Sequence, residues 1–252
     1  MTEPRLEHRH ACARESLLQL LHQIHVHLVG RPAQRDVLVP AVLGSDLGCG
    51  MSALHLGVPA AALSREDLQE VLRELARRLS GRKKGDGGVE PALFQEPLST
   101  HALEHERSRV GVAQLGTLGG GNHFLELDRD MEGDLWVLVH SGSRGIGGAI
   151  AAHHGKVARP GDGAVLPHLE ATFEAGRAFL HDLDWGLRYA RENRRMVLAS
   201  AIGVLEARLG HLDGLEELDA PHNFLAREVH DGEEVWVHRK GAAAAVTGTR
   251  LL

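Results

Sequence analysis

Aromatic residues make up only 4% of the 252 residues, so any core must be assembled chiefly from Leu, Val and Ala. There are two cysteines, Cys12 and Cys49, too few for the disulfide framework of a small secreted scaffold. With only these two, no CxxC pair of the kind that builds structural zinc modules exists. No apolar run reaches the roughly 18 residues needed to span a bilayer. The N-terminal stretch MTEPRLEHRHACARE is charged and lacks an apolar h-region, so no signal peptide is expected and the expected location is cytoplasmic. Lys and Arg number 28 against 34 Asp and Glu, a formal charge of −6. That balance argues against bulk attraction to nucleic acid, though not against a local basic groove.

What is present is a chain with 43% hydrophobic residues, enough for one large domain or two small ones. Residues 15–29 carry Leu17, Leu20, Leu21, Ile24 and Leu28 at helical spacing. DVLVPAVLG (36–44) reads as an extended apolar segment, with Pro40 confined to an edge or bulge, followed by a glycine-punctuated loop, SDLGCGMSALHLG. Ser64 and Asp67 form a capping-box pattern ahead of Leu68, Val71, Leu72, Leu75 and Leu79, with Gly81 as the stop. GRKKGDGGVEP (81–91) is expected to be a flexible loop. FLELD and DLWVLVH read as strands joined by a turn through Arg129 to Gly133. Residues 170–209 read as helical, divided into more than one helix, and EEVWVHRKGA as a further strand. The irregular alternation points to a mixed α+β or α/β fold.

Four segments pair glycine or extended backbone with metal-binding side chains. In SDLGCGM, Asp46 and Cys49 stand three apart in a turn, where a carboxylate and a thiolate can converge on one ion and the thiolate can bridge two. The alternative is a buried cysteine beside a solvated aspartate. In GTLGGGNHFLE, three consecutive glycines can expose backbone N–H groups to phosphate, beside Asn122, His123 and Glu126. In VHSGSRG, His140 closes an apolar strand, and Ser141, Ser143 and Arg144 are candidate phosphate contacts because Arg offers a bidentate fork. In PHNF, His222 is a ligand candidate and Asn223 a candidate for phosphate or ribose; downstream, Arg239 and Lys240 form a basic cluster with His238, which reads equally as a structural histidine. Asp, Cys and neutral imidazole together favour Mn, Fe, Co or Zn over Mg or Ca.

DLGCGM, LGTLGGGNHFLEL, VHSGSRG, HNF and HRKGA, in this order between Asp36 and Gly241, resemble the RtcB family of RNA ligases. The resemblance implies a mixed α/β fold whose central β-sheets and peripheral helices surround a dinuclear metal site. It implies two Mn2+ ions, one held by Asp46, Cys49 and His123, the other by Cys49, His140 and His222. It implies GTP as cofactor, contacted by Asn122, His123, Phe124, Leu125, Glu126, His222 and Asn223. The partners implied are RNA ends bearing a 3′-phosphate or 2′,3′-cyclic phosphate and a 5′-hydroxyl, as in tRNA splicing and RNA repair.

The family's guanylated histidine lies in Ser-His-Gly-Ala-Gly-Arg, which does not occur in this sequence; neither does its Pro-Gly-Ser-Met-Gly segment. Residues 1–252 are therefore expected to form one RtcB-like catalytic domain shortened at its C-terminus and unable to form the GMP intermediate alone. Two other readings remain at this stage: a non-catalytic remnant that binds RNA ends, and a metal-dependent phosphoesterase.

Overall fold

The computed structural model describes residues 36–80, 92–159, 166–213 and 215–244. The helix expected over 15–29 and the loop expected over 81–91 lie outside the described residues.

A four-stranded antiparallel sheet carries the architecture. Its strands are β2 (Gly50–Pro59), β3 (Phe124–Arg129), β4 (Asp134–Ser141) and β6 (Glu216–Pro221), in the order β3-β4-β2-β6. The expected β3–β4 hairpin is present, with Arg129 opposite Leu135. Two smaller pairs flank the sheet. One is β1 (Val37–Leu38) with β5 (Leu169–Glu170); the other is the hairpin of β7 (Asn223–His230) and β8 (Glu233–Lys240). The β7–β8 turn is Asp231-Gly232, both with positive φ, the pairing that matches the right-handed twist of the flanking strands.

The helices are α1 (Pro40–Leu43), α2 (Arg65–Leu79), α3 (His101–Glu106), α4 (Arg144–Val157) and α5 (Glu174–Leu209). A capping box starts α2: Asp67 N–H donates to Ser64 Oγ at 3.0 Å, and Ser64 N–H donates to Asp67 Oδ2 at 3.1 Å. Its Val71, Leu75 and Leu79 pack with Leu54, Leu56, Val137 and Val139 of the sheet and with Val197, Leu198, Ala201 and Leu205 of α5. A second apolar cluster gathers Phe179, Leu183, Trp185 and Tyr189 of α5 with Ile146 and Ile150 of α4 and with Leu38, Leu43 and Leu47. Thus α5 buries its first half in one cluster and its second half in the other.

Three expectations are corrected. The segment 170–209 holds one 36-residue helix from Glu174, not several; it contains no proline, and two clusters along its length stabilise it past Gly176, Gly186 and Gly203. Pro40 does not sit in a strand. It opens α1 at a first-turn position, where its preset φ suits a helix and its missing N–H leaves no bond unmade. The glycine-punctuated loop ends at Cys49, and Gly50 already begins β2. Among the described residues no helix is long and apolar enough to cross a membrane.

Candidate metal centre

The candidate ligands meet at one end of the sheet. Asp46 and Cys49 lie in the turn between α1 and β2, where Cys49 N–H donates to the Asp46 carbonyl at 3.2 Å. Gly48 between them has φ +67, and a Cβ there would strike Ala190 of α5, so only glycine lets the turn press against the helix. His123 immediately precedes β3, and His140 is the penultimate residue of β4, facing Phe124 in the ladder. His222 links β6 to β7, and its N–H donates to the Cys49 carbonyl at 2.9 Å.

Cys49 Sγ lies 3.0 Å from His140 Nε2 and 3.8 Å from His123 Nε2. His123 Nε2 lies 3.0 Å from Asp46 Oδ2, and His140 Nε2 lies 3.1 Å from His222 Nε2. Two ligand groups result, Asp46–Cys49–His123 and Cys49–His140–His222, each with its donor atoms within 4.8 Å of one another and with Cys49 in both. The backbone fixes the tautomers. His140 Nδ1–H donates to the Asn122 carbonyl at 2.9 Å and His123 Nδ1–H donates to the Leu118 carbonyl at 3.1 Å. Both Nε2 lone pairs are therefore turned inward.

Charge follows from this enclosure. Burial, reinforced by the cationic form of His140, lowers His222 to about 4. Burial also lowers His140. Burial pushes the Cys49 thiol up, and the Asp46 carboxylate adds to that. Burial alone would raise Asp46, but hydrogen bonding with His123 and Cys49 outweighs it and holds its carboxyl below the usual range. At neutral pH these surroundings thus favour the neutral imidazole at His140 and His222, the carboxylate at Asp46 and the thiol at Cys49. The contacts of His140 Nε2 with His222 Nε2 at 3.1 Å and of His123 Nε2 with Asp46 Oδ2 at 3.0 Å each require a proton or a cation between the two atoms. A thiolate, imidazoles and a carboxylate match the donor set of Mn, Fe, Co or Zn.

The residues expected to contact a nucleotide divide. Phe124 lies beside the His140 ring at 5.4 Å between centroids, while Asn122 and Glu126 are exposed. Leu125 points the other way and packs in the cluster between sheet and helices. Asn223 is buried; its amide donates to the carbonyls of Leu43 and Asp46, and its Oδ1 has no partner among the described residues.

The candidate phosphate contacts divide as well. Arg144 has φ +57, lies against Gly119, and brings Nη1 within 3.3 Å of His123 Nδ1. Ser143 Oγ is buried without a partner among the described residues. Three others are engaged inside the fold. Ser141 Oγ donates to the Leu118 carbonyl and accepts from Asn193. Arg239 makes a forked pair with Glu228, and Lys240 donates to the Leu43 carbonyl at 2.9 Å. His238 accepts the Val39 N–H at 2.9 Å through Nε2, the structural alternative of the two open for it.

Asn193, Arg194 and Asp219, absent from the sequence-derived site, stand directly behind these ligands. A signal existed: Asn193 and Arg194 fall four residues after Tyr189 and Ala190 and four before Val197 and Leu198, so two polar side chains occupy the apolar face of α5.

The family model described as "RtcB: tRNA-splicing ligase RtcB" matches residues 88–252. The chain is 32% identical over 252 aligned residues to an RNA-splicing ligase RtcB of Escherichia coli K12, covering 85% of this chain and 60% of that protein. It is 30% identical over 259 residues to an RNA-splicing ligase RtcB of Mycobacterium tuberculosis, covering 87% of this chain and 58% of that one. A tRNA-splicing ligase RtcB of Pyrobaculum aerophilum is 27% identical over 282 residues, covering 84% of this chain and 57% of its own length. The chain therefore spans about three fifths of the length of these relatives. With its converging Asp46, Cys49, His123, His140 and His222 and a match over residues 88–252, the chain belongs to the RtcB family.

Proposed function

We propose that this chain supplies the dinuclear manganese centre of a GTP-dependent RNA ligase, one that joins a 3′-phosphate or 2′,3′-cyclic-phosphate end to a 5′-hydroxyl end. One observation carries the reading: two ligand groups share a single sulfur, Cys49. A thiolate shared in this way would hold two cations close together, and such a pair would supply charge stabilisation to the attacking and leaving oxygens of a displacement at phosphorus.

The chain's own residues have definable tasks. Asp46, Cys49 and His123 would hold one cation; Cys49, His140 and His222 the other. The Asn122 and Leu118 carbonyls orient the imidazoles. The Asn122 carbonyl and the Phe124 ring adjoin His140, so these two residues, with Glu126 and Asn223, would contact a guanine nucleotide, and Arg144 and Ser143 are the remaining side chains suited to phosphate oxygens. The family's nucleotide-bearing histidine has no counterpart in this sequence, so nucleotide transfer requires that residue from outside these 252 residues.

The test uses RNA ends carrying a 2′,3′-cyclic phosphate and a 5′-hydroxyl, with Mn2+ and GTP. The chain is assayed alone and together with a polypeptide bearing Ser-His-Gly-Ala-Gly-Arg. Joined RNA only in the second mixture is expected. Absence of joining in both, with no Mn2+-dependent binding of the 3′ end, overturns the reading. Metal-dependent opening of the cyclic end without GTP would favour a phosphoesterase instead.

A further inference from the structure

Two neighbouring polar residues on α5 are almost wholly excluded from solvent: Asn193 is 0% exposed and Arg194 is 1% exposed. Burying a guanidinium is unfavourable unless its donors are met, and here they are. Nη1 donates to the Gly48 carbonyl at 2.7 Å and to the Ser141 carbonyl at 3.1 Å. Nε donates to Ser52 Oγ at 3.0 Å and to Asp219 Oδ1 at 2.8 Å, and Nη2 donates to Asp219 Oδ2 at 3.1 Å. Asn193 Oδ1 accepts from the N–H groups of Gly116, at 2.8 Å, and Thr117, at 3.3 Å. Its Nδ2 donates to the Thr117 carbonyl at 3.1 Å and to Ser141 Oγ at 3.0 Å.

The identity of these acceptors is informative. Gly48 precedes Cys49, and Ser141 follows His140. Asp219 lies in β6, the strand that leads to His222. Thr117 precedes Leu118, whose carbonyl orients His123. Each segment that carries a candidate ligand is thus tied to one or both of two consecutive residues of a single helix. These segments arrive from distant parts of the sequence, and the rigid fork of one guanidinium links three of them. Gly50 completes the fit, since a Cβ there would come within 3.2 Å of Arg194 Cζ.

We propose that Asn193 and Arg194 form a positioning brace that sets the distances among Cys49, His123, His140 and His222, and so sets whether two cations bind or one. The inference rests on the two-cation reading above. Neither residue touches a reacting atom; each acts through the backbone that carries the ligands. A filler role would be met as well by apolar side chains, whereas a brace requires acceptors at fixed separations.

The test titrates metal-free full-length protein with Mn2+ and, separately, with Co2+, counting bound ions and recording the thiolate-to-cobalt charge-transfer band. The wild-type chain is compared with Arg194→Met/Asp219→Leu, which removes the buried guanidinium together with its partly buried carboxylate partner and spares the fold an unpaired ion, and with Arg194→Lys, which keeps the charge but cannot span the same acceptors. Far-ultraviolet dichroism and thermal melting confirm folding. The expected result is weaker binding of at least one ion by about tenfold or more in both variants, with a shifted or weakened charge-transfer band, as outer-shell changes produce at metal sites. Two ions bound with wild-type affinity and an unchanged band in folded Arg194→Lys would overturn the brace while leaving the two-cation reading intact. A wild-type chain that binds no ion would overturn the reading itself.

Discussion

Cys49 Sγ and His140 Nε2 stand 3.0 Å apart although 91 residues separate them in sequence, and the same sulfur closes the group of Asp46 and His123 on its other side. One side chain therefore belongs to both candidate sites, and substitutions around it should not have equal effects.

Cys49→Ala should weaken both cations by on the order of a hundredfold, because each group loses a ligand and the bridge between them disappears. His222→Ala should weaken only one, since the Asp46–Cys49–His123 group stays whole. Equilibrium dialysis against Mn2+ with metal analysis reads both. Equal losses in the two variants would contradict the shared-sulfur arrangement.

The glycine run offers a contrast between adjacent residues. Gly119 has φ +97, and a Cβ there would run into the Arg144 guanidinium; Gly120 lacks a positive φ, and a Cβ there meets nothing within 4 Å. Gly119→Ala should destabilise the fold by about 1–3 kcal/mol through backbone strain and displacement of Arg144. Gly120→Ala should stay within about 0.5 kcal/mol of wild type. Urea denaturation of the two single variants distinguishes them.

Much of this was legible in the sequence where chemistry and local periodicity agree. Ser64 with Asp67 announced α2, Phe124–Arg129 and Asp134–Ser141 announced a hairpin, and the five candidate metal ligands that the fold brings together stood out by residue type. Pro40 misled because proline is tolerated both at a strand edge and in the first helical turn, and only the packing of Leu43 beneath it decides. The extent of α5 was hidden because its glycines look like breaks until two apolar clusters are seen to hold both halves. Ser141, Arg239 and Lys240 look like phosphate ligands in isolation; only the fold shows Asn193, Glu228 and the Leu43 carbonyl already engaging them.

Away from the centre, His238 should make the fold acid-sensitive. It is 2% exposed, and burial lowers it to about 4 from an ordinary value of 6.5. A depressed folded value means that the unfolded chain takes up the proton first. The contribution is complete above pH 6.5 and is lost as pH falls towards 4, reaching on the order of 3 kcal/mol. His238→Gln retains an acceptor for the Val39 N–H but cannot titrate. Urea unfolding at pH 7, 5 and 4 should show wild type losing more stability than this variant by about that amount. Parallel curves for the two proteins would show that His238 is not the source.

Cation binding should itself depend on pH, with a slope that the buried environment dictates. Burial and the Asp46 carboxylate hold the Cys49 thiol protonated across the neutral range, so a cation must displace that proton. In the neutral range His222, lowered to about 4, has no proton to release, and burial pushes His140 in the same direction. Affinity should therefore rise by about tenfold per pH unit, the slope of one released proton, between roughly pH 7 and 8. Histidines with ordinary values would steepen the slope below about pH 6.5. An ordinary thiol would flatten it near about pH 8.5. Titration calorimetry with Mn2+ in two buffers of different ionisation enthalpy counts the protons directly. A count near two or three at about pH 7.5 would mean that the imidazoles are more open to water than the packing around His140 and His222 indicates.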